Sequence, residues 1–240
     1  MRVLVTGASG TIGSDFARLL SDPDLQLVQT DVAADPPDVE QLDVTDVGAC
    51  ARAVRSIDAV LHLAADPSPT ADFRSSVLPV NIVGTYNLVE AAVTAGVQRF
   101  VFASSIHAVA GYPPDQQVRE QDPPRPANDY GVGKAFGEAL CAAAAIRSTT
   151  TFVAVRIGNY SAERPGGDPE LRDRMLWLSA RDAAQLLRQV LTVPVDGFHI
   201  AHGVSNNAAT RLALDLTRTT FGYRPSDDAF EGSPRRHDNT

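Results

Sequence analysis

Short apolar runs alternate along this chain with stretches whose apolar residues recur at helical spacing. Val3–Val5 is such a run, closed by Gly7, and predicts a buried strand. Ile12, Phe16, Leu19 and Leu20 fall on one face of a helix over Ile12–Leu20. The same reading predicts strands at Leu25–Thr30, Ala59–Leu63, Phe100–Ala103 and Thr150–Ile157, with helices at Val47–Arg55 and Tyr130–Ile146. Phe73–Ala95 reads as one long helical stretch in which Pro79 marks a break or an early turn. Residues 32–40, rich in Pro, Asp and Ala, and the proline-dense Gly111–Asp129 read as loops. After Arg156 the alternation weakens: 158–174 is loop-like, 180–191 is helical, Gly197–Ala201 is a short strand, and the polar stretch from Arg224 is expected to fray.

Strands that are continuous apolar runs, with helices between them, belong to a parallel sheet covered on both faces. The chain's 240 residues suffice for one α/β domain with a buried core. Residues 1–240 therefore read as a single domain, in which 158–240 is expected to supply most of a small substrate-binding part.

Charge narrows the partners. Twenty-nine acidic against 21 basic residues leave a net charge of −8, which disfavours nucleic acid, whose phosphates need a basic patch. No apolar stretch reaches the length of a membrane span, and the first residues lack the pattern of a signal peptide. Cys50 and Cys141 have neither disulfide nor zinc spacing. They are expected to pack as small apolar side chains in a reducing cytoplasm, with no metal site.

Candidate chemistry begins at Gly7-x-x-Gly10-x-x-Gly13, between the first strand and the first helix. Strand, glycine-rich turn and helix together form a dinucleotide cradle. Gly7 permits the tight turn, Gly10 puts no side chain between backbone and pyrophosphate, and Gly13 lets the helix lie close on the sheet. The phosphates then meet free N–H groups and the positive end of the helix dipole. Ser9, Thr11 and Ile12 belong to the same turn. Asp31 ends the second strand, where an acid can bond the adenosine ribose hydroxyls. No Lys or Arg lies between Arg18 and Arg52, so a 2′-phosphate would lack a partner, and NAD is expected rather than NADP. Asp43 either touches the adenine edge or is a loop acid. Val44 beside it, and Leu63, Ala64 and Ala65 at the end of the third strand, complete the expected cofactor wall. The predicted fold is thus a Rossmann-type doubly wound parallel sheet.

Tyr130 and Lys134 in YGVGK are four residues apart and share a helix face. A phenol with a free pKa of about 10 is a poor base. A neighbouring ammonium favours the phenolate and can also hold the nicotinamide ribose. Ser104 and Ser105 follow the fourth strand, at the carboxyl edge where ligands bind in open α/β sheets. A hydroxyl there can bond the substrate oxygen while Tyr130 takes its proton. Asn81, among apolar neighbours in the long helix, is either a helix-bonded or solvent-facing amide or a support for the site.

These motifs resemble the extended short-chain dehydrogenase/reductases, over nearly the whole chain. TGASGTIG is similar to that family's TGxxGxxG, His62-Leu63-Ala64-Ala65 to its third-strand motif, and YGVGK to its YxxxK. The resemblance implies Ser105 as the catalytic serine, with Ser104 its neighbour, and Asn81 as the supporting asparagine. It also implies association through the two long helices into a homodimer or higher homo-oligomer. FASSIHAVAGYPP, YGVGKAFGE, VRIGN and RML are further similar to segments of the uronate dehydrogenases, which oxidise the C1 hydroxyl of a uronate to an aldarolactone with NAD. That narrower resemblance implies Arg174 as the partner of a substrate carboxylate, with His107 and Asn159 as substrate contacts. A guanidinium offers a carboxylate a bidentate fork. The chain departs from the pattern in the substrate wall more than in the cofactor site: Ile106 stands for a polar Asn, Asn159 for a Ser, Ala64–Ser68 for a Gly-Gly stretch with Ser, and Gly133 for the common Ser of the YxxSK motif.

The expected activity is NAD-dependent oxidation of a hydroxyl on a sugar or sugar acid, a small-molecule substrate. A nucleotide-sugar epimerase or dehydratase would use the same Tyr–Lys core but usually carries a longer C-terminal part. A silent NAD-binding sensor would be marked by loss of the Tyr or the Lys, and both are present.

Overall fold

The computed structural model describes residues 1–33, 38–166 and 169–231. The chain runs β1 (Arg2–Thr6), α1 (Thr11–Leu19), β2 (Gln26–Asp31), β3 (Glu40–Gln41), α2 (Val47–Ala53) and β4 (Ala59–His62). A wide helical segment, Phe73–Gly84, leads directly into α3 (Thr85–Ala95), followed by β5 (Arg99–Ser105) and α4 (Asp129–Arg147). The remainder is β6 (Thr151–Ile157), β7 (Asn159–Tyr160), α5 (Leu171–Leu176), β8 (Trp177–Leu178), α6 (Ala180–Thr192), β9 (Phe198–Gly203) and α7 (Asp215–Phe221).

Seven strands form one parallel sheet in the order β3-β2-β1-β4-β5-β6-β9, as the alternation predicts. Successive side chains on each strand enter opposite faces. Val3, Val5, Leu61, Val101, Val153 and Val155 pack with Phe16 of α1 and Leu186, Leu187 and Val190 of α6. Leu4, Val60, Phe100, Phe102 and Phe152 pack on the other face with Cys50, Leu88, Val89 and Cys141. Both cysteines are free and buried. Chain order reverses between β1 and β4, and the crevice above that point is where such sheets hold ligands.

Three local readings change. The long helix does not break at Pro79. It winds wide through Phe73–Gly84, where an i→i+5 bond joins Val77 N–H to the Asp72 carbonyl, and tightens to α-helix at Thr85. Wide winding tolerates a residue that lacks an N–H and whose ring would clash in an α-helix. The loop expected over 32–40 ends in the first residue of β3, and the one expected over 158–174 contains β7 and the start of α5; residues 34–37 and 167–168 within them lie outside the described residues.

The stretch from Arg224 does not fray as far as Glu231; residues 232–240 lie outside the described residues. Asp182 of α6 is fully buried, and its carboxylate accepts the Ser226 N–H at 2.9 Å and the Asp227 N–H at 3.0 Å. Asn207 Oδ1 accepts the Ala229 N–H at 3.0 Å, and Asp227 pairs with Arg181. A polar segment is thus fixed by acceptors distant in sequence. Replacing Asp182 with Ala leaves these donors unpaired. It is expected to cost about 2–3 kcal/mol in chemical denaturation and to admit protease to 224–231 before the sheet opens. Unchanged stability and cleavage would contradict this.

Candidate active site

One cleft of about 840 Å³ runs along the carboxyl edge of the sheet. Its first end is built by the glycine-rich turn. Gly7 has φ +72°, and a methyl group there would lie 2.7 Å from the Ala64 nitrogen, so only glycine lets β1's turn meet the β4 loop. A methyl at Gly10 would meet only the Gly7 carbonyl, at 3.2 Å, and otherwise stand in the open cleft that Gly10 lines. The space is therefore kept bare for something that touches backbone. Asp31 Oδ2 accepts the Ser9 N–H at 3.0 Å, which fixes the carboxylate beside the turn. Thr11, Ile12, Gly13, Asp43, Val44 and Leu63 line the same end, with Ala64 and Ala65. Asp43 also accepts the Thr45 N–H and hydroxyl at 2.8 and 2.7 Å, so it shapes its own loop. Lys134 is the only Lys or Arg among the described lining residues, and residues 34–37, outside them, are Ala, Asp, Pro and Pro. The bare turn, its helix N-terminus and an acid with no neighbouring cation fit a dinucleotide without a 2′-phosphate.

The second end is built by β5 and α4. Ser105, His107, Tyr130 and Lys134 all line it. Asn128 starts α4 by accepting the Gly131 N–H at 2.8 Å, and its amide also contacts His107 Nδ1 at 3.0 Å. The His107 ring meets Tyr130 edge-on at 5.4 Å. Lys134 Nζ lies 5.5 Å from the centre of the Tyr130 ring and donates to the Ala103 carbonyl at 2.7 Å. Burial pushes the Lys134 pKa down to about 8. Burial likewise pushes the Tyr130 phenol up, against the opposing influence of Ser105, while the Asp66 charge adds to the rise. The phenol is thus raised by burial, where the sequence led us to expect it lowered by the lysine.

Not every expected residue reaches the substrate end. Ser104 touches the cleft wall, but its hydroxyl donates to Glu138 Oε1 at 2.6 Å. Asn81 is buried outside the lining and clamps the Asp66 peptide, accepting its N–H at 2.8 Å and donating to its carbonyl at 3.0 Å. Asn159 lines the cleft and donates to Asp173 at 3.2 Å. Arg174, on α5, lies over the Phe230 ring and is not among the lining residues.

Three features escaped the sequence reading. Glu138 forms a buried ion pair with Arg156, both contacts at 2.9 Å, one helical turn beyond Lys134. The i, i+4, i+8 spacing of Tyr130, Lys134 and Glu138 was a signal for it. Tyr160 donates to Asp15 at 2.6 Å and ties β7 to α1 beside the glycine turn. Asp66 lines the cleft. Among the described residues no His, Cys, Asp and Glu cluster could hold a metal, and no helix is long and apolar enough to cross a membrane.

Residues 3–199 match the model of the NAD dependent epimerase/dehydratase family. The chain is 35% identical to an NAD-dependent glucose-6-phosphate dehydrogenase of Haloferax volcanii, over 97% of each chain. It is also 35% identical to an L-arabinose 1-dehydrogenase (NAD(P)(+)) of the same organism, over 95% of this chain and 97% of that one. Among solved structures, a mutant uronate dehydrogenase from Agrobacterium tumefaciens complexed with NAD superposes with a TM-score of 0.84 at 31% identity, covering 99% of this chain and 92% of that one.

The buried lysine carries a pH signature. An unfolded lysine keeps its proton up to its ordinary pKa of 10.5, whereas the folded one loses it near 8. Between these values the unfolded chain binds more protons, so unfolding free energy rises with pH. Relative to Lys134→Met, the native protein is expected to gain stability from about pH 8 to pH 10 in denaturant titrations. A difference that stays flat across that window would contradict the burial argument.

Proposed function

Because the chain belongs to the NAD dependent epimerase/dehydratase family, we propose that it is an NAD-dependent dehydrogenase that oxidises a hydroxyl of a sugar or sugar acid. The observation that carries this reading is the single cleft lined at one end by Gly7, Gly10 and Asp31 and at the other by Ser105, Tyr130 and Lys134. The relatives and the structural neighbour support it by their names: a glucose-6-phosphate dehydrogenase, an L-arabinose 1-dehydrogenase and a uronate dehydrogenase.

NAD, when bound, supplies the acceptor for the hydride that leaves the sugar carbon. The chain's own residues do the rest. Backbone N–H groups of the glycine turn hold the diphosphate, and Asp31 holds the adenosine ribose. Ser105 orients the reacting hydroxyl and Tyr130, as phenolate, takes its proton. Lys134 spends one donor on Ala103 and has two more for the nicotinamide ribose. His107 packs against the phenol ring and limits its motion. Ser104 and Asn81 act behind the wall, through Glu138 and the Asp66 peptide. Arg174 as a carboxylate anchor would have to leave the Phe230 ring and turn towards the cleft.

Residues 1–240 work as one domain in this reading, since β9 completes the sheet while Gly158, Asn159 and Tyr160 line the cleft. Leu78, Val83, Tyr86 and Val132 are apolar and exposed on the wide segment, α3 and α4, which supports a homodimer through those helices. Free buried cysteines fit a cytoplasmic location.

The test is NADH absorbance with a panel of free aldoses and uronates. Tyr130→Phe is expected to lower turnover by about 10²–10⁴-fold while NAD affinity stays close to native. Turnover in the native protein is expected to rise towards alkaline pH, because the phenol's pKa is raised. Unchanged turnover in Tyr130→Phe would remove the proposed base.

A further inference from the structure

We propose that Asp66 is a specificity-determining residue that accepts a hydrogen bond from a ring hydroxyl of the sugar, so that the site takes uncharged aldoses in preference to uronates. The inference rests on the dehydrogenase reading above and names the substrate class within it.

Asp66 lines the cleft, close enough to Tyr130 for its charge to act on the phenol. Its position is fixed from two sides. Asn81 clamps the Asp66 N–H and carbonyl, at 2.8 and 3.0 Å. The carboxylate accepts the Ser68 N–H at 2.9 Å on one oxygen and the Ser76 hydroxyl on the other. A carboxylate offers about four acceptor positions, so about two are left over. Among the described residues no cation pairs with it. A half-buried carboxylate without a counter-ion, in a cleft beside the reacting group, matches the hydroxyl donors of a sugar. It repels a second carboxylate.

The rest of the substrate wall agrees. Ile106, buried and lining the cleft, offers no donor. Lys134 donates to the Ala103 carbonyl and gives its other donors to the nicotinamide ribose in the reading above, and burial holds the His107 imidazole below its usual pKa, so it is neutral near pH 7. Arg172, which acts on His107 from α5, is exposed to solvent, and Arg174 lies over Phe230. No guanidinium is among the described residues lining the cleft.

Two substrate series isolate the charge. D-Galacturonate, D-galactose and L-arabinose share the hydroxyls of C1 to C4 and differ only in what C5 carries. D-Glucuronate, D-glucose and D-xylose form the matching series of the other configuration. In whichever series turns over, kcat/KM for the neutral sugars is expected to exceed that for the uronate by about tenfold or more. Asp66→Asn preserves the size of the side chain and one acceptor, for the Ser68 N–H, while its amide NH2 donates to the Ser76 hydroxyl oxygen in place of the bond that hydroxyl now gives. It is expected to raise KM for the neutral sugars about tenfold, to change kcat less, and to narrow the ratio of neutral sugar to uronate. NADH affinity by fluorescence is expected to stay native, which also reports an intact fold. Preference of the native protein for the uronate overturns the inference and leaves the dehydrogenase reading standing, and it does so even without the variant. An Asp66→Asn protein with native KM values and a native ratio overturns it equally. If native protein turns over no sugar of either series or of the wider panel, the dehydrogenase reading fails and this inference with it.

Discussion

The site depends on one buried face of α4. Tyr130, Lys134 and Glu138 follow one another at single helical turns, and all three are buried against the carboxyl ends of β5 and β6. Lys134 reaches the Ala103 carbonyl, and Glu138 takes the Ser104 hydroxyl together with the Arg156 guanidinium. Three polar groups inside a core would each be costly alone. Joined to the last residues of two strands, they instead fix how high the helix stands on the sheet. That height sets where the phenol sits. Arg156 Nη1 also donates to the Asp122 carbonyl at 3.1 Å, which brings the proline-dense loop into the same network.

The sheet then supplies the second half. Between β1 and β4 the chain order reverses, and the crevice left there receives the glycine turn from one side and the α4 face from the other. A cofactor laid on the turn and a substrate laid on the phenol must meet in it, because the two ends share one cleft. Tyr160 spans the rim to Asp15, so residues beyond β6 brace the turn that the first residues form.

Much of this was legible in order along the chain. Strands buried on both faces are apolar without interruption, and the glycine spacing and the Tyr–Lys spacing are local facts. What was not legible is decided by partners far away in sequence. Ser104 and Ser105 are equivalent as a dipeptide, but neighbours on a strand point to opposite faces, and only Ser105 is free to serve the phenol's side. The segment after Arg224 is polar, yet Asp182 and Asn207 hold it. Arg174 matches a motif, while its guanidinium lies over Phe230, a residue more than fifty positions later. Asp66 looked like a departure in a loop, and its meaning depends on Asn81 and Ser76 closing round it.

The central claim is that this cleft moves a hydride from a sugar carbon once Tyr130 has taken the hydroxyl proton. The direct measurement uses an aldose deuterated at C1, with the reduced nicotinamide recovered and analysed by mass spectrometry and NMR. One deuterium on a single face of the nicotinamide ring, with a slowed turnover, is the expected result. Reduced cofactor without deuterium, or a sugar that changes configuration while the cofactor pool stays oxidised, would contradict it.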